Sequence, residues 1–173
     1  MGDAVRGLPG ICAGFYVAQE TAPTGKTRAA PRVKYLLDTN HCIFLINGKY
    51  PQVASRLAVQ SVGSVGLSSI TTSELWFGVE NSAHREQNRA ALGKFLLPLK
   101  ILPYDESAAH AYGKIRAFLE KAGRGVGSMD LLIAAHALSL QAVLVTHNLK
   151  EFRRVPGLKL EDWTESAPEA RGG

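Results

Sequence analysis

The chain has 173 residues, 46% of them hydrophobic and 20% charged, a balance that fits one globular domain with a sizeable core. No apolar run is long enough to span a membrane, and Leu8 to Ala18, broken by Pro9, Gly10 and Gly14, argues against an export signal. The two cysteines, Cys12 and Cys42, form neither a metal-ligand spacing nor a disulfide framework, so a reducing, cytoplasmic setting is expected, and the net charge of +5 favours a polyanionic partner such as nucleic acid.

Residues 1–32 carry scattered glycines and prolines with no sustained period, and Thr21 to Pro31 is linker-like. A disordered or weakly ordered extension is expected there. From Val33 onward, short apolar runs alternate with helical periods. Val33 to Asp38 reads as a buried strand. His41 to Asn47 reads as a helix ended by Asn47-Gly48, and Pro51 to Gln60 as a second helix with Pro51 in its first turn. Val65 to Ser68 is a strand. Ser69 or Thr71 is the expected cap of the next helix, which runs to about Ser82, and Thr71 with Glu74 has capping-box spacing. Arg85 to Leu97 is an amphipathic helix, Ile101 to Tyr104 a strand, and Asp105 the cap of a helix to Ala122. After the loop Gly123 to Gly127 come an apolar helix over Ser128 to Leu140 and a strand over Ala142 to Thr146. A helical turn over Leu149 to Arg153 and a last strand over Leu158 to Glu161 follow, and residues 166–173 are expected to fray. This alternation predicts an α/β fold, a three-layer α/β/α sandwich with a mainly parallel sheet, over residues 33–165.

Ligands of such sheets bind beyond the carboxyl ends of the strands, which is where Tyr35-Leu36-Leu37-Asp38-Thr39-Asn40 places a carboxylate. Asp38 is therefore the leading site candidate; as a plain helix cap it would compete with Asn40, the better-placed cap, which is also suited to orient Asp38 or a water. Glu74 lies on a predicted first turn among Ile70, Leu75, Phe77 and Val79, where it is either a site acid or a capping-box partner. Asp130 precedes Leu131-Leu132-Ile133-Ala134-Ala135, and an acid opening so apolar a helix needs a specific partner, because burying an unpaired charge is costly. The plainer alternative is a first-turn Asp facing the helix dipole, with Ser128 as cap. Thr146, Asn148 and Glu151 form a further segment, read either as metal or water contacts or as a strand-to-helix turn capped by Asn148. Acids from separate elements suggest an oxygen cage for Mg²⁺ or Mn²⁺ and phosphodiester hydrolysis.

The five histidines lack ligand spacing, although His41 and His147 lie near the proposed site. Lys121, Arg124, Arg153 and Arg154 are candidate RNA-phosphate contacts or simply a solvated basic face. Trp76 and Phe77 read as core or dimer contacts.

These motifs, in this order, resemble the PIN-domain ribonucleases, and specifically VapC-type toxins of bacterial toxin–antitoxin pairs. The likeness covers Val33 to Trp163. It rests on Leu36-Leu37-Asp38-Thr39-Asn40, Ser73-Glu74-Leu75-Trp76-Phe77-Gly78, Gly127 to Ala137, Val145-Thr146-His147-Asn148 leading to Glu151-Phe152, and the closing Val155-Pro156-Gly157-Leu158 with Glu161-Asp162-Trp163. The resemblance implies Asp38, Glu74 and Asp130 as the core metal-binding acids, with Mg²⁺- or Mn²⁺-dependent endonucleolytic cleavage of structured RNA, tRNA prominent among it, by metal-activated water. It also implies a homodimer and a cognate antitoxin that blocks the acidic site. Asn148 stands where many relatives place an Asp, so Glu151 is the expected substitute for the fourth acid. The residues before Val33 have no counterpart in the family, and translation from a GTG codon at Val33 is a hypothesis that the intact mass of the native product would test.

Two other classes are consistent with parts of the pattern. A haloacid-dehalogenase-like phosphohydrolase also begins from a strand-end Asp but needs a second Asp two positions on, where this chain has Asn40. A binding module for RNA or protein, without turnover, would have no use for the three acids.

Overall fold

The computed structural model describes Arg32–Glu165; the expectations for residues 1–31 and 166–173 lie outside the described residues. Strand β1 (Tyr35–Leu37) is followed by helices α1 (Thr39–Ile46) and α2 (Pro51–Ala58), then β2 (Val65–Ser68), α3 (Ser69–Glu80) and α4 (Arg85–Leu96). Strand β3 (Lys100–Leu102), α5 (Glu106–Lys121), α6 (Ser128–Leu140), β4 (Val143–Val145), α7 (Leu149–Phe152) and β5 (Lys159–Glu161) complete the order. The five strands form one sheet in the order β3-β2-β1-β4-β5, and every neighbouring pair is parallel.

Strand alternation divides the core in two. Leu36 and Leu144 face one layer with Ile115, Leu119, Leu131, Ile133 and Phe152, from α5, α6 and α7. Their neighbours Tyr35, Leu37 and Val145 face the other layer with Leu45, Val53, Leu75 and Leu92, from α1 to α4. The central strands read as continuous apolar runs because both faces are covered. Burial of these side chains, at roughly 25 cal/mol per Å² of apolar surface, holds the strand ends in place for the polar residues that follow them.

Two helix starts depart from the sequence expectations. Ser68, not Ser69 or Thr71, caps α3: its hydroxyl accepts the Ile70 N–H at 3.1 Å. Thr71 is buried with its hydroxyl unpartnered, so the Thr71–Glu74 capping box does not form and Glu74 is released for other contacts. Gly127 rather than Ser128 stands at the start of α6, without a side-chain cap. Asp105 caps α5 as expected, accepting the Ala108 N–H at 3.0 Å. The core reading of Trp76 and Phe77 fails, since they are 36% and 71% exposed on α3.

Gly66 sets the spacing between β2 and its edge neighbour. It pairs with Lys100, and a Cβ there would sit 2.9 Å from the Lys100 carbonyl oxygen and 3.1 Å from Leu102 Cδ1. Gly66→Ala therefore forces β3 outward, and urea denaturation should show a loss of about 1–3 kcal/mol. An unchanged midpoint would mean that the edge strand moves without cost.

Candidate active site

Asp38 follows β1 and is only 3% exposed. Parallel pairing brings the end of β4 beside it, with the Asp38 N–H donating to the Val145 carbonyl at 2.9 Å. One carboxylate oxygen accepts the Thr39 N–H and the other accepts the Thr146 hydroxyl, both at 2.8 Å. Asp38 thus caps α1 as well as occupying the strand end, and Asn40, expected as the better cap, is exposed in the first turn. The cap and site readings of Asp38 coexist.

A chain of hydrogen bonds extends from this carboxylate. Thr146 Oγ1 accepts the Asn148 N–H at 3.0 Å, and Asn148 Nδ2 donates to Asp130 at 3.1 Å. On the other side the Thr39 hydroxyl donates to Glu74, which projects from the second turn of α3. Thr39 therefore joins Asp38 to Glu74, while Thr146 and Asn148 join Asp38 to Asp130. Thr39 has no role that its sequence motif alone assigns; its one signal there is a hydroxyl directly after the strand-end acid.

Electrostatics confirm that these groups sense one another. Burial pushes the Asp38 carboxyl up to about 6; the Thr146 and Thr39 hydrogen bonds oppose this, and the charges of Asp130 and Glu74 reinforce it. Asp130 is also raised, by burial and then by Glu74, with Asn148 opposing and Glu151 adding to the shift. Glu151 is partly compensated, because Arg154 Nη1 lies 3.2 Å from it and 2.6 Å from the Gly125 carbonyl oxygen. Arg154, which the sequence leaves open as a phosphate contact or part of a solvated basic face, ties the end of α7 to the loop before α6.

The four acids offer the all-oxygen donor set that Mg²⁺ and Mn²⁺ prefer, and their mutual repulsion would be relieved by a cation. Among the described residues, however, no three histidine, cysteine or carboxylate side chains stand ready as a ligand set. Thr39 holds Glu74 and Asn148 holds Asp130, so coordination would draw these acids inward against existing hydrogen bonds. Lys121 and Arg124 are exposed at the α5 end and in the following loop. Arg153 is exposed and lines a depression of about 590 Å³ along the β5 edge, which none of the four acids lines.

Behind the acids, His41 is fully buried on α1. Its Nε2 accepts the Trp163 N–H at 3.2 Å, which assigns the proton to Nδ1 and makes the nearby Asp162 a polar neighbour of a neutral ring. Burial lowers the His41 pKa to about 4. His136, also buried, meets the Ser68 hydroxyl at 2.8 Å and links α6 to the end of β2.

Two pH effects on stability follow. His41 stays neutral in the fold while the unfolded chain takes up a proton below about 6.5, so stability should fall between pH 6.5 and 4, by roughly 3 kcal/mol at most. His41→Gln, whose amide oxygen can accept the same N–H, should flatten that slope in urea titrations; an identical slope would remove His41 from the acid response. Asp38 acts in the opposite direction. Its carboxyl holds a proton longer when folded, so its contribution is present at low pH and lost as pH rises from about 4 through 6. In metal-free buffer, Asp38→Asn should raise the melting temperature at pH 7.5 and much less at pH 4.5, and an equal change at both would contradict a charge origin.

Comparison with known proteins places this geometry. Residues 35–158 match the PIN domain family model. The chain is 44% identical over 131 residues to the tRNA(fMet)-specific endonuclease VapC of Salmonella typhimurium, covering 76% of this chain and 98% of that protein. It is 41% identical to Ribonuclease VapC2 of Rickettsia felis, covering 75% and 97% respectively. Among solved structures, DNA-bound VapBC from Salmonella typhimurium superposes with a TM-score of 0.73 at 44% identity, covering 76% of this chain and 98% of that one. VapBC2 from Rickettsia felis, bound to a promoter DNA fragment, superposes with a TM-score of 0.71 at 39% identity, covering 76% and 99%. By family model, sequence identity and fold together, the chain belongs to the PIN-domain family as a VapC ribonuclease toxin of a VapBC toxin–antitoxin system.

Proposed function

We propose that this ribonuclease cleaves structured RNA endonucleolytically with Mg²⁺ or Mn²⁺, and that its substrate is a tRNA. The observation that carries the reading is the hydrogen-bonded chain Glu74–Thr39–Asp38–Thr146–Asn148–Asp130 at the carboxyl ends of β1 and β4. The tRNA assignment draws on the Salmonella relative, named as specific for tRNA(fMet). A bound divalent cation would polarise a phosphoryl oxygen, acidify a water and stabilise the leaving alkoxide. Asp38, Asp130 and Glu74 would hold it, with Glu151 at the fourth position. Thr146 and the Thr39 N–H fix the Asp38 carboxylate, and Asn148 orients Asp130. Lys121, Arg124 and Arg153 supply positive charge for the RNA backbone, and Asn40, exposed beside Asp38, faces water or substrate.

The remaining parts of the reading concern organisation. The nuclease domain spans residues 33–165 and acts in the cytoplasm; no helix among the described residues is long and apolar enough to cross a membrane. A cognate antitoxin blocks the acids, a reading supported by neighbours that are themselves VapBC complexes. A homodimer would cover exposed apolar side chains such as Phe77 and Trp76. The phosphohydrolase alternative finds no second acid beside Asp38, since Asn40 stands two positions on.

Purified protein incubated with a total tRNA pool and Mg²⁺ should yield discrete new ends. Asp38→Ala and Asp130→Ala should each cut the rate at least about 100-fold, the upper end of what losing even a ligand's outer partner costs, with folding intact by circular dichroism. Glu151→Gln should slow the reaction, and Asn148→Asp, which replaces the amide donor to Asp130 with a carboxylate, should change the Mg²⁺ concentration needed for half-maximal rate. Normal cleavage by both alanine variants would mean that the chemistry lies elsewhere.

A further inference from the structure

The His147 side chain is not used by the carboxylate network, although it lies between Thr146 and Asn148, which are. It turns to the α1 side of the sheet and is 52% exposed. Its Nδ1 is held by Asp162 at 2.8 Å, with the Thr164 hydroxyl 3.2 Å away. Asp162 in turn is only 5% exposed and accepts the Thr164 N–H at 2.8 Å and its hydroxyl at 2.7 Å. Helix α2 clamps the same segment, since Arg56 donates to the Asp162 carbonyl at 3.2 Å and Gln52 to the Thr164 carbonyl at 2.6 Å. The imidazole is therefore rigidly aimed, and Nε2 makes no hydrogen bond among the described residues.

Around it stand two aromatic rings and a cation. Phe44 lies 5.8 Å from the imidazole, edge to face, and 4.7 Å from Tyr50. Tyr50 lies 6.5 Å from the imidazole at an interplanar angle of 37°. Lys49 Nζ sits 5.3 Å from both the Phe44 and Tyr50 ring centres. Partly exposed rings, an oriented imidazole and a flexible ammonium are the groups with which proteins hold single-stranded nucleic acid: bases stack on rings, and cations meet phosphates. An apolar docking groove would lack the cation and the exposed polar nitrogen. The cluster is at the same end of the sheet as the acids, because His147 directly follows the residue that holds Asp38.

We propose that Phe44, Tyr50 and His147, with Lys49, form a platform for one unpaired nucleotide of the RNA next to the scissile phosphate. The base stacks on His147 and Tyr50, Lys49 neutralises the flanking phosphate, and His147 Nε2 reaches a ribose hydroxyl or base edge. Asp162 is a positioning residue that fixes the imidazole. The proposal rests on the ribonuclease reading above, and it adds a place where the substrate strand is gripped.

The test uses the full chain carrying Asp38→Asn, so that the probe is not cut, and short unstructured oligoribonucleotides with 2-aminopurine at successive positions. Stacking should quench one position. His147→Ala and Tyr50→Ala should each abolish that quenching and weaken binding about five- to tenfold, within the range of one lost base stack; His147→Phe should restore the quenching. In the otherwise wild-type enzyme, His147→Ala should raise KM with kcat held within about twofold. Unchanged quenching, affinity and KM in folded His147→Ala and Tyr50→Ala would overturn the platform, and if the same variants bound the antitoxin less well, the surface would be assigned to that protein. Asp38-dependent cleavage together with unaltered quenching would sink the platform alone. Quenching that depends on His147 in a chain that cleaves no tRNA would uphold the platform and remove the tRNA assignment.

Discussion

Burying the Asp38 carboxylate beside Asp130 and Glu74 costs free energy that its two hydrogen bonds only partly offset, and much of the local architecture can be understood from that constraint. Desolvation disfavours the charged form, and like charges nearby disfavour it further. The Thr39 amide and the Thr146 hydroxyl oppose both effects. Neither partner can be moved without moving a neighbouring element, since Thr39 opens α1 and Thr146 directly follows β4. The carboxylate is thus held in a state that the apo protein tolerates and a cation would favour.

The apolar layers make this possible. Leu36 and Leu37 are fully buried on opposite faces of the central strand, and Leu144 and Val145 repeat the arrangement next door. Packing of this density leaves little freedom for the residues that follow. The C-terminal segment adds a second anchorage: Trp163 is buried in the α1 to α4 layer, and its N–H is received by the neutral ring of His41. Asp162, just before it, is therefore fixed well enough to orient an exposed histidine.

Much of this was legible before any coordinates. The alternation of periods places each of the twelve elements to within a few residues, because buried parallel strands read as short apolar runs and the helices carry clear stops such as Asn47-Gly48. The strand-end position of Asp38 was legible for the same reason. The errors arose where several residues of similar chemistry compete locally. Ser68, Ser69 and Thr71 can all cap α3, and only the strand's exact end, set by pairing with β1 and β3, selects Ser68. Arg154 looked like a free cation because its partners, Glu151 and the Gly125 carbonyl, meet only in the fold. The same applies to His147 and Asp162, which are fifteen positions apart in sequence and in hydrogen-bond contact in space.

The two outermost strands are short, and each begins with lysine: Lys100-Ile101-Leu102 and Lys159-Leu160-Glu161. A ladder of three residues with charge on its rim is a poor template for another chain's backbone, a pattern that guards open sheets against growth. Among the described residues the sheet has two edges, and both are built against strand addition. The exposed apolar side chains that a partner protein could meet, Phe77 on α3, Leu97 just past α4 and Phe118 on α5, belong to the helical layers instead. Recognition through surface side chains leaves the acids undisturbed, because the elements that carry them, the end of β1 and helices α3, α6 and α7, are locked into the two core layers.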